Sequence, residues 1–176
     1  MKKLILSIIC ICTGFVIHAQ NETEEQQEKV ILENANEIAL NVGALLGGYP
    51  EFTYERLLNE ESSLGLSIGF TIDDDIEYKF SAIPFYRFYF GKKQAAGFFI
   101  EGNAALFSAE NDNINEGVIK GDTEFGFGLG LAIGGKFLTK SNWTGELLLG
   151  LGRTFINDES VPGAYPRVGV SIGKRF

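Results

Sequence analysis

The chain has 176 residues, of which 45% are hydrophobic and 22% charged, and its formal net charge is −8 at pH 7. One domain is the natural expectation at this length. An acidic chain without a basic cluster is a poor candidate for binding nucleic acid, so no nucleic-acid partner is expected. Both cysteines, the single histidine and the single methionine lie within the first 18 residues.

Residues 1–19 have the form of a secretory signal peptide. Lys2 and Lys3 form a basic start, residues 4–17 are almost continuously apolar, and Ala19 is small enough to precede a cleavage site. Removing these 19 residues would leave 157, without Cys, His or Met, and with a net charge of −10 because two lysines leave as well. We therefore expect an exported protein with no disulfide, no thiol or Ser–His catalysis and no Cys/His zinc site.

The next segment, residues 20–36, is polar and acidic, and it predicts a periplasmic linker or a short helix. From residue 37 to residue 176 the hydrophobicity changes with a period of two, which indicates strands. The predicted strands are residues 37–45, 52–58, 63–71, 77–90, 97–107, 123–136, 143–154 and 165–176.

Along these strands, bulky apolar residues alternate with small or polar ones. In the first strand Ile38 and Leu40 alternate with Glu37 and Asn41. The fourth strand contains Pro84, which predicts a bulge or a locally weakened ladder because proline cannot donate a hydrogen bond. The sixth strand has the clearest alternation, in which Phe125, Phe127, Leu129, Leu131 and Ile133 are separated by Gly or Ala.

The direction of the two faces decides the fold. A soluble sandwich or a lipocalin-like carrier would turn the apolar face inward, whereas a membrane barrel would turn it toward lipid. Glycine is frequent on the polar face, which suits a narrow lumen better than a solvated strand. The odd-numbered connections include the two longest, residues 108–122 and 155–164, and most of the acidic loop residues. These features predict an all-β fold, an eight-stranded antiparallel up-and-down transmembrane β-barrel over residues 37–176, with short turns in the periplasm.

The polar face would then line the lumen. It carries the predicted site residues Glu55, Arg87, Glu101, Glu124, Glu146 and Arg167, together with Lys79, Lys136 and Arg175. Charges in a narrow interior must pair, and the expected pairs are Arg87 with Glu55 or Glu101 and Arg167 with Glu146 or Glu124. The favoured interpretation is a structural network that fills the lumen. A proton- or ion-conducting lumen, or paired carboxylates doing acid–base chemistry, are the alternatives, and no metal or cofactor is predicted.

Several segments carry a family resemblance: the Lys-Lys signal peptide ending in Ala-Gln, EYKFSAIPFYRFYF at 77–90, GFFIE at 97–101 and RVGVSIGKRF at 167–176. They resemble the small outer-membrane barrels of Bacteroidetes, and more narrowly the DUF3575 family, for which no activity is established. The resemblance implies a barrel in the outer membrane of a Gram-negative cell. It also implies that Phe176 is similar to the C-terminal aromatic residue recognised by the barrel-assembly machinery.

The expected function is a structural role in the envelope or a loop-mediated interaction. The expected partners are outer-membrane lipid and lipopolysaccharide, the barrel-assembly machinery, and an extracellular partner bound by the loops. Enzymes built on small outer-membrane barrels rely on a histidine, so we expect no enzymatic activity from a mature chain without one. The alternatives are a narrow channel and a soluble periplasmic carrier of an apolar ligand.

Overall fold

The computed structural model describes residues 34–73, 76, 78–110, 123–156 and 161–176. The strands are β1 (Asn36–Asn41), β2 (Glu51–Leu57), β3 (Ser62–Phe70), β4 (Tyr78–Lys93), β5 (Ala96–Glu110), β6 (Thr123–Leu138), β7 (Trp143–Ile156) and β8 (Ala164–Arg175). Each strand pairs antiparallel with its neighbours in the chain, and β8 pairs with β1 to close the barrel. The predicted eight-stranded up-and-down barrel is therefore confirmed.

The predicted signal peptide, residues 1–19, and residues 20–33 of the predicted linker lie outside the described residues. Asn36, the last residue of that linker, belongs to β1. Within the described part of the chain, no helix is long and apolar enough to cross a membrane.

The first strand is shorter than its sequence pattern predicts. It ends at Asn41, and the short helix α1 (Val42–Leu46) follows. The Asn41 side chain accepts a hydrogen bond from the backbone N–H of Ala44 at 3.1 Å, which is the interaction that an asparagine at a helix N-cap makes. The predicted strand over residues 42–45 is wrong, because the apolar alternation continues past a residue whose side chain starts a helical turn.

Pro84 weakens one of its two ladders. The β3–β4 ladder runs through the pair Leu66 and Pro84. The β4–β5 ladder has no pair at positions 83 and 84, yet the pairs on either side, including Phe85 with Asn103, keep one register. Since proline has no N–H, the predicted local weakening is present without a bulge at this position.

The bulky apolar face of the sheet points outward and the charged face points inward. Leu131 and Leu149 are 69% and 63% exposed, whereas Arg87 and Glu101 are 1% and 0% exposed. This is the orientation predicted for a membrane barrel and the reverse of that expected for a carrier with an apolar interior.

The barrel has two unlike ends, which we name by their connections. The short-turn end holds the start of β1, the end of β8 and the connections at residues 58–61, 94–95 and 139–142. The loop end holds α1 and the connections that join β3 to β4, β5 to β6 and β7 to β8. This alternation of short and long connections agrees with the prediction.

Candidate functional site in the barrel lumen

The centre of the lumen is organised around Arg87, which projects inward from β4. Its Nε donates to Glu101 at 2.8 Å, and its Nη1 donates to Glu55 at 2.8 Å. Nη1 and Nη2 also donate to the two carboxylate oxygens of Glu146 at 2.8 and 2.9 Å. One guanidinium group therefore binds three carboxylates from three other strands, which ties the barrel wall together across the lumen.

Two aromatic rings enclose this guanidinium. Its central carbon lies 4.3 Å from the ring centroid of Phe85 and 4.5 Å from that of Phe99, both within cation–π range. The rings lie against the inward glycines Gly65 and Gly134, where an added Cβ would overlap the Phe85 and Phe99 rings respectively. The glycines predicted on the lumen face therefore leave the space that these two aromatic rings occupy.

Lys136 forms a second centre nearer the short-turn end. Its ammonium group lies 2.6 Å from Glu55, 3.0 Å from Glu37 and 3.3 Å from Glu146. Oxygen atoms of these three carboxylates lie within 4.8 Å of one another, as metal ligands could. The cation among them is the lysine itself, so the cluster is built around a fixed ammonium ion. Tyr89 completes the site by donating to Glu55 at 2.6 Å.

Arg167 continues the network toward the loop end. Its Nε donates to Glu101 at 2.9 Å, its Nη1 to Glu51 at 3.0 Å and its Nη2 to Ser67 at 2.9 Å. Glu101 binds both Arg87 and Arg167, so the two halves of the network are continuous.

Arg175 and the turn at residues 94–95 close the short-turn end. The Arg175 Nε donates to Glu37 at 2.8 Å, and its Nη1 donates to the backbone carbonyl of Gln94 at 2.7 Å. Its Nη2 donates to the carbonyl of Ala95, a residue with no exposed surface. The β4–β5 turn is therefore folded over the mouth of the lumen and held there from β8.

The structure brings most of the predicted site residues together. Glu55, Glu101 and Glu146 meet at Arg87, and the expected pairs of Arg87 with Glu55 and Glu101 are both present. The predicted pairing of Arg167 with Glu146 or Glu124 is wrong, because the guanidinium binds Glu51 and Glu101 instead.

The remaining predicted residues lie at the ends of the barrel. Glu124 is half-buried near the start of β6, opposite Ala109 of β5. Phe176 has an exposed side chain, and its backbone N–H donates to the carbonyl of Asn36 at 2.9 Å, which fastens the end of β8 to β1.

Two carboxylates of the network, Glu37 and Glu51, were not among the predicted site residues. Glu37 lies on the polar face of the first predicted strand, so its period-two position could have identified it. Glu51 was assigned to a connection, but β2 begins there. Counting back by two from Glu55 would have placed Glu51 on the same inward face.

Between Arg167 and the loop end, the lumen widens into a cavity of about 220 Å³, which we call the loop-end cavity. Arg167 and Glu51 lie at its inner end, and Tyr49 and Ser81 line its side. The Tyr49 hydroxyl donates to Ser81 Oγ at 2.8 Å. Burial raises the pKa of the Tyr49 phenol, and the nearby Glu51 carboxylate raises it further, so the hydroxyl stays protonated and can donate.

Fold and lumen together define a closed antiparallel barrel with an apolar exterior and an interior filled by paired charges. Comparison of the chain with protein-family models, with curated proteins and with solved structures found no match.

Proposed function

We propose that the chain is an integral outer-membrane β-barrel protein with a closed lumen. Its role is structural in the envelope, or it presents its loops to an extracellular partner. The observation that carries the proposal is a belt of exposed aliphatic side chains around the middle of the barrel. The belt comprises Leu66, Ile68, Ile100, Leu131, Ile133, Leu147, Leu149, Leu151, Val168, Val170 and Ile172. A soluble monomer rarely exposes so continuous an apolar surface, whereas in a membrane barrel such a surface is covered by lipid.

Aromatic residues border the belt on both sides. Exposed rings near the short-turn end are Phe88, Phe90, Phe98, Phe137, Trp143 and Phe176, and those near the loop end are Phe52, Phe70, Phe80, Phe125 and Phe155. Two aromatic girdles around an aliphatic band are typical of outer-membrane barrels. At the short-turn end the Lys174 ammonium lies 5.2 Å from the Trp143 ring centroid, an arrangement that suits the boundary between lipid and water.

The packing of the lumen supports a closed barrel over a channel. At the level of Arg87, the guanidinium lies between Phe85 and Phe99 and binds three carboxylates. At the short-turn end, Arg175 holds a turn across the mouth. We expect no reproducible conductance steps from the purified protein in planar bilayers. Regular single-channel steps would overturn the closed lumen and favour the narrow channel.

The proposal includes the partners that such a location implies. The apolar belt would contact outer-membrane lipid, the outward loops would lie near lipopolysaccharide, and Phe176 would serve recognition by the barrel-assembly machinery. The resemblance to small outer-membrane barrels of Bacteroidetes, and to the DUF3575 family, supports the same location. We propose no enzymatic activity, because the predicted mature chain has neither histidine nor cysteine.

The decisive experiment combines cell fractionation with gel migration before and after boiling. We expect the protein in the outer-membrane fraction, as a detergent-resistant band whose mobility changes on heating. Recovery in the soluble periplasmic fraction without a heat-dependent shift would contradict the proposal.

A substitution in the belt tests what covers it. We expect Leu149→Arg to lower the free energy of unfolding in lipid by about 2–4 kcal/mol, because the charge would lie near the bilayer midplane. Ser141→Arg, in the exposed β6–β7 turn, is the control and should change stability little. Urea titration of the folded band in lipid vesicles measures both. Equal stability of the two variants would argue against lipid around the belt.

A further inference from the structure

The loop-end cavity has the size of a small organic molecule. Its volume is about 220 Å³. An apolar cavity of about 150 Å³ in a protein core is enough to hold benzene, so this space is large enough for a compact bicyclic ring. It is too small for most drug-sized ligands, whose pockets begin at about 300 Å³.

The walls of the cavity are mainly aromatic and aliphatic. Phe107 and Tyr165 lie on one side with their ring centroids 6.0 Å apart, and Ile83 and Ala105 contribute buried apolar surface between the strands. Aromatic walls of this kind favour a flat guest, because rings pack edge-to-face or in offset stacks with one another.

The inner end of the cavity is charged but internally balanced. Arg167 and Glu51, the two charged side chains among the described lining residues, bind each other at 3.0 Å. Asn41 also donates to Glu51 at 3.2 Å, and Arg167 donates to Glu101 outside the cavity. A charged guest would have to lose its hydration without gaining a free partner, which favours a guest without net charge.

One polar group is placed to orient a guest. Ser81 Oγ accepts the hydrogen bond from Tyr49, and in the described residues no second donor reaches its remaining lone pair. A single N–H group on a flat guest could therefore donate to Ser81 while the rest of the guest contacts the rings. Apolar walls with a few convergent polar groups are the usual composition of a small-molecule site.

From these observations we propose that the loop-end cavity binds a small, uncharged aromatic compound of about the size of indole. The site lies inside the barrel, so it depends on the lumen and not on what surrounds the outer surface. Its test can fail while the outer-membrane proposal stands, and the reverse is equally true.

The experiment titrates the full chain, purified in detergent, with 5-fluoroindole and follows the ligand by ¹⁹F NMR. We expect saturable binding to the wild-type barrel. Ala105→Leu fills the cavity from β5 and should raise the dissociation constant at least tenfold. Ala104→Leu is the matched control, because the neighbouring residue faces outward on the same strand, and it should stay within twofold of the wild type.

Partitioning of the probe into micelles is the same for all variants, so only the difference between variants reports on the cavity. Equal dissociation constants for Ala104→Leu and Ala105→Leu would overturn the proposal. Uptake of the probe that never saturates would overturn it as well.

A second variant and a second probe decide the outcome even where Ala105→Leu does not fold. Ser81→Ala should weaken binding of 5-fluoroindole severalfold. Binding of naphthalene, which has no polar atom and is measured by its displacement of 5-fluoroindole, should stay within twofold. Unchanged binding of both probes would show that Ser81 does not contact the guest and would contradict the proposed hydrogen bond. Indole-3-carboxylate, which is charged and is measured by the same displacement, should bind at least tenfold more weakly than 5-fluoroindole, and tighter binding of the anion would overturn an uncharged guest.

Discussion

The two halves of the lumen are built from the same alternating strands but are packed differently. The short-turn half is filled, because long charged side chains such as Arg87, Lys136 and Arg175 cross it and bind carboxylates on several strands. The loop half keeps a cavity of about 220 Å³, because small inward residues such as Ser81 and Ala105 lie there between aromatic walls. A single strand pattern thus provides a rigid plug at one end and a space for recognition at the other.

The largest expected effect compares the arginines of the two halves. We expect Arg87→Met to lower the free energy of unfolding by about 3–5 kcal/mol, because it leaves three buried carboxylates without their shared cation. Arg167→Met should cost about half as much, since Glu51 borders the loop-end cavity and water there can hydrate it. Urea unfolding, followed by the heat-dependent gel shift, gives both values.

Arg153→Met serves as the control for losing an arginine, because Arg153 is exposed on the outer face of β7. It should change the free energy of unfolding by less than about 1 kcal/mol. If Arg167→Met were as destabilising as Arg87→Met, the two halves of the lumen would be equally dry, and the distinction between plug and cavity would be lost.

Much of the fold could be predicted from the sequence, because the period-two alternation and the inward glycines are local signals. The eight strands and the direction of their faces follow from them. The helix α1 could not be read from the alternation, since Asn41 starts it through a side-chain hydrogen bond while the apolar pattern continues.

The candidate site was only partly predictable, for a geometric reason. The pairs of Arg87 follow from residues that all lie on the inward face, of which Glu101 is directly opposite in the β4–β5 register. The partners of Arg167 depend on which side chains reach across the barrel. Sequence periodicity gives the face on which a residue lies but not the distance between side chains on opposite walls. The cavity depends on the sum of side-chain volumes at one level of the lumen. The residues that share a level are known only from the register of the closed barrel.

A smaller effect on the free energy of unfolding is expected when glycines on the two faces of the barrel are replaced by alanine. We expect Gly65→Ala to cost about 1–3 kcal/mol, because an added Cβ would overlap the Phe85 ring in the filled half of the lumen. Gly102→Ala, on the outer face of β5, would meet nothing within 4 Å and should be neutral or slightly stabilising. Urea titrations of the two variants test whether the rings are tightly held, and equal effects would show that Phe85 can move aside.

The smallest expected effect concerns the hydroxyl that borders the loop-end cavity. Tyr49→Phe removes the hydrogen bond to Ser81, so at neutral pH it should lower the free energy of unfolding by about 0.5–1.5 kcal/mol. Burial raises the pKa of Tyr49 above its ordinary value of 10.0, so above that pH the folded state holds a proton that the unfolded state has lost. The wild type therefore loses the contribution of Tyr49 to stability as the pH rises above about 10, whereas the phenylalanine variant has no such group to titrate. The difference between wild type and Tyr49→Phe should grow smaller over that range in parallel urea titrations, while a constant difference would mean that the phenol is as well solvated in the cavity as in the unfolded chain.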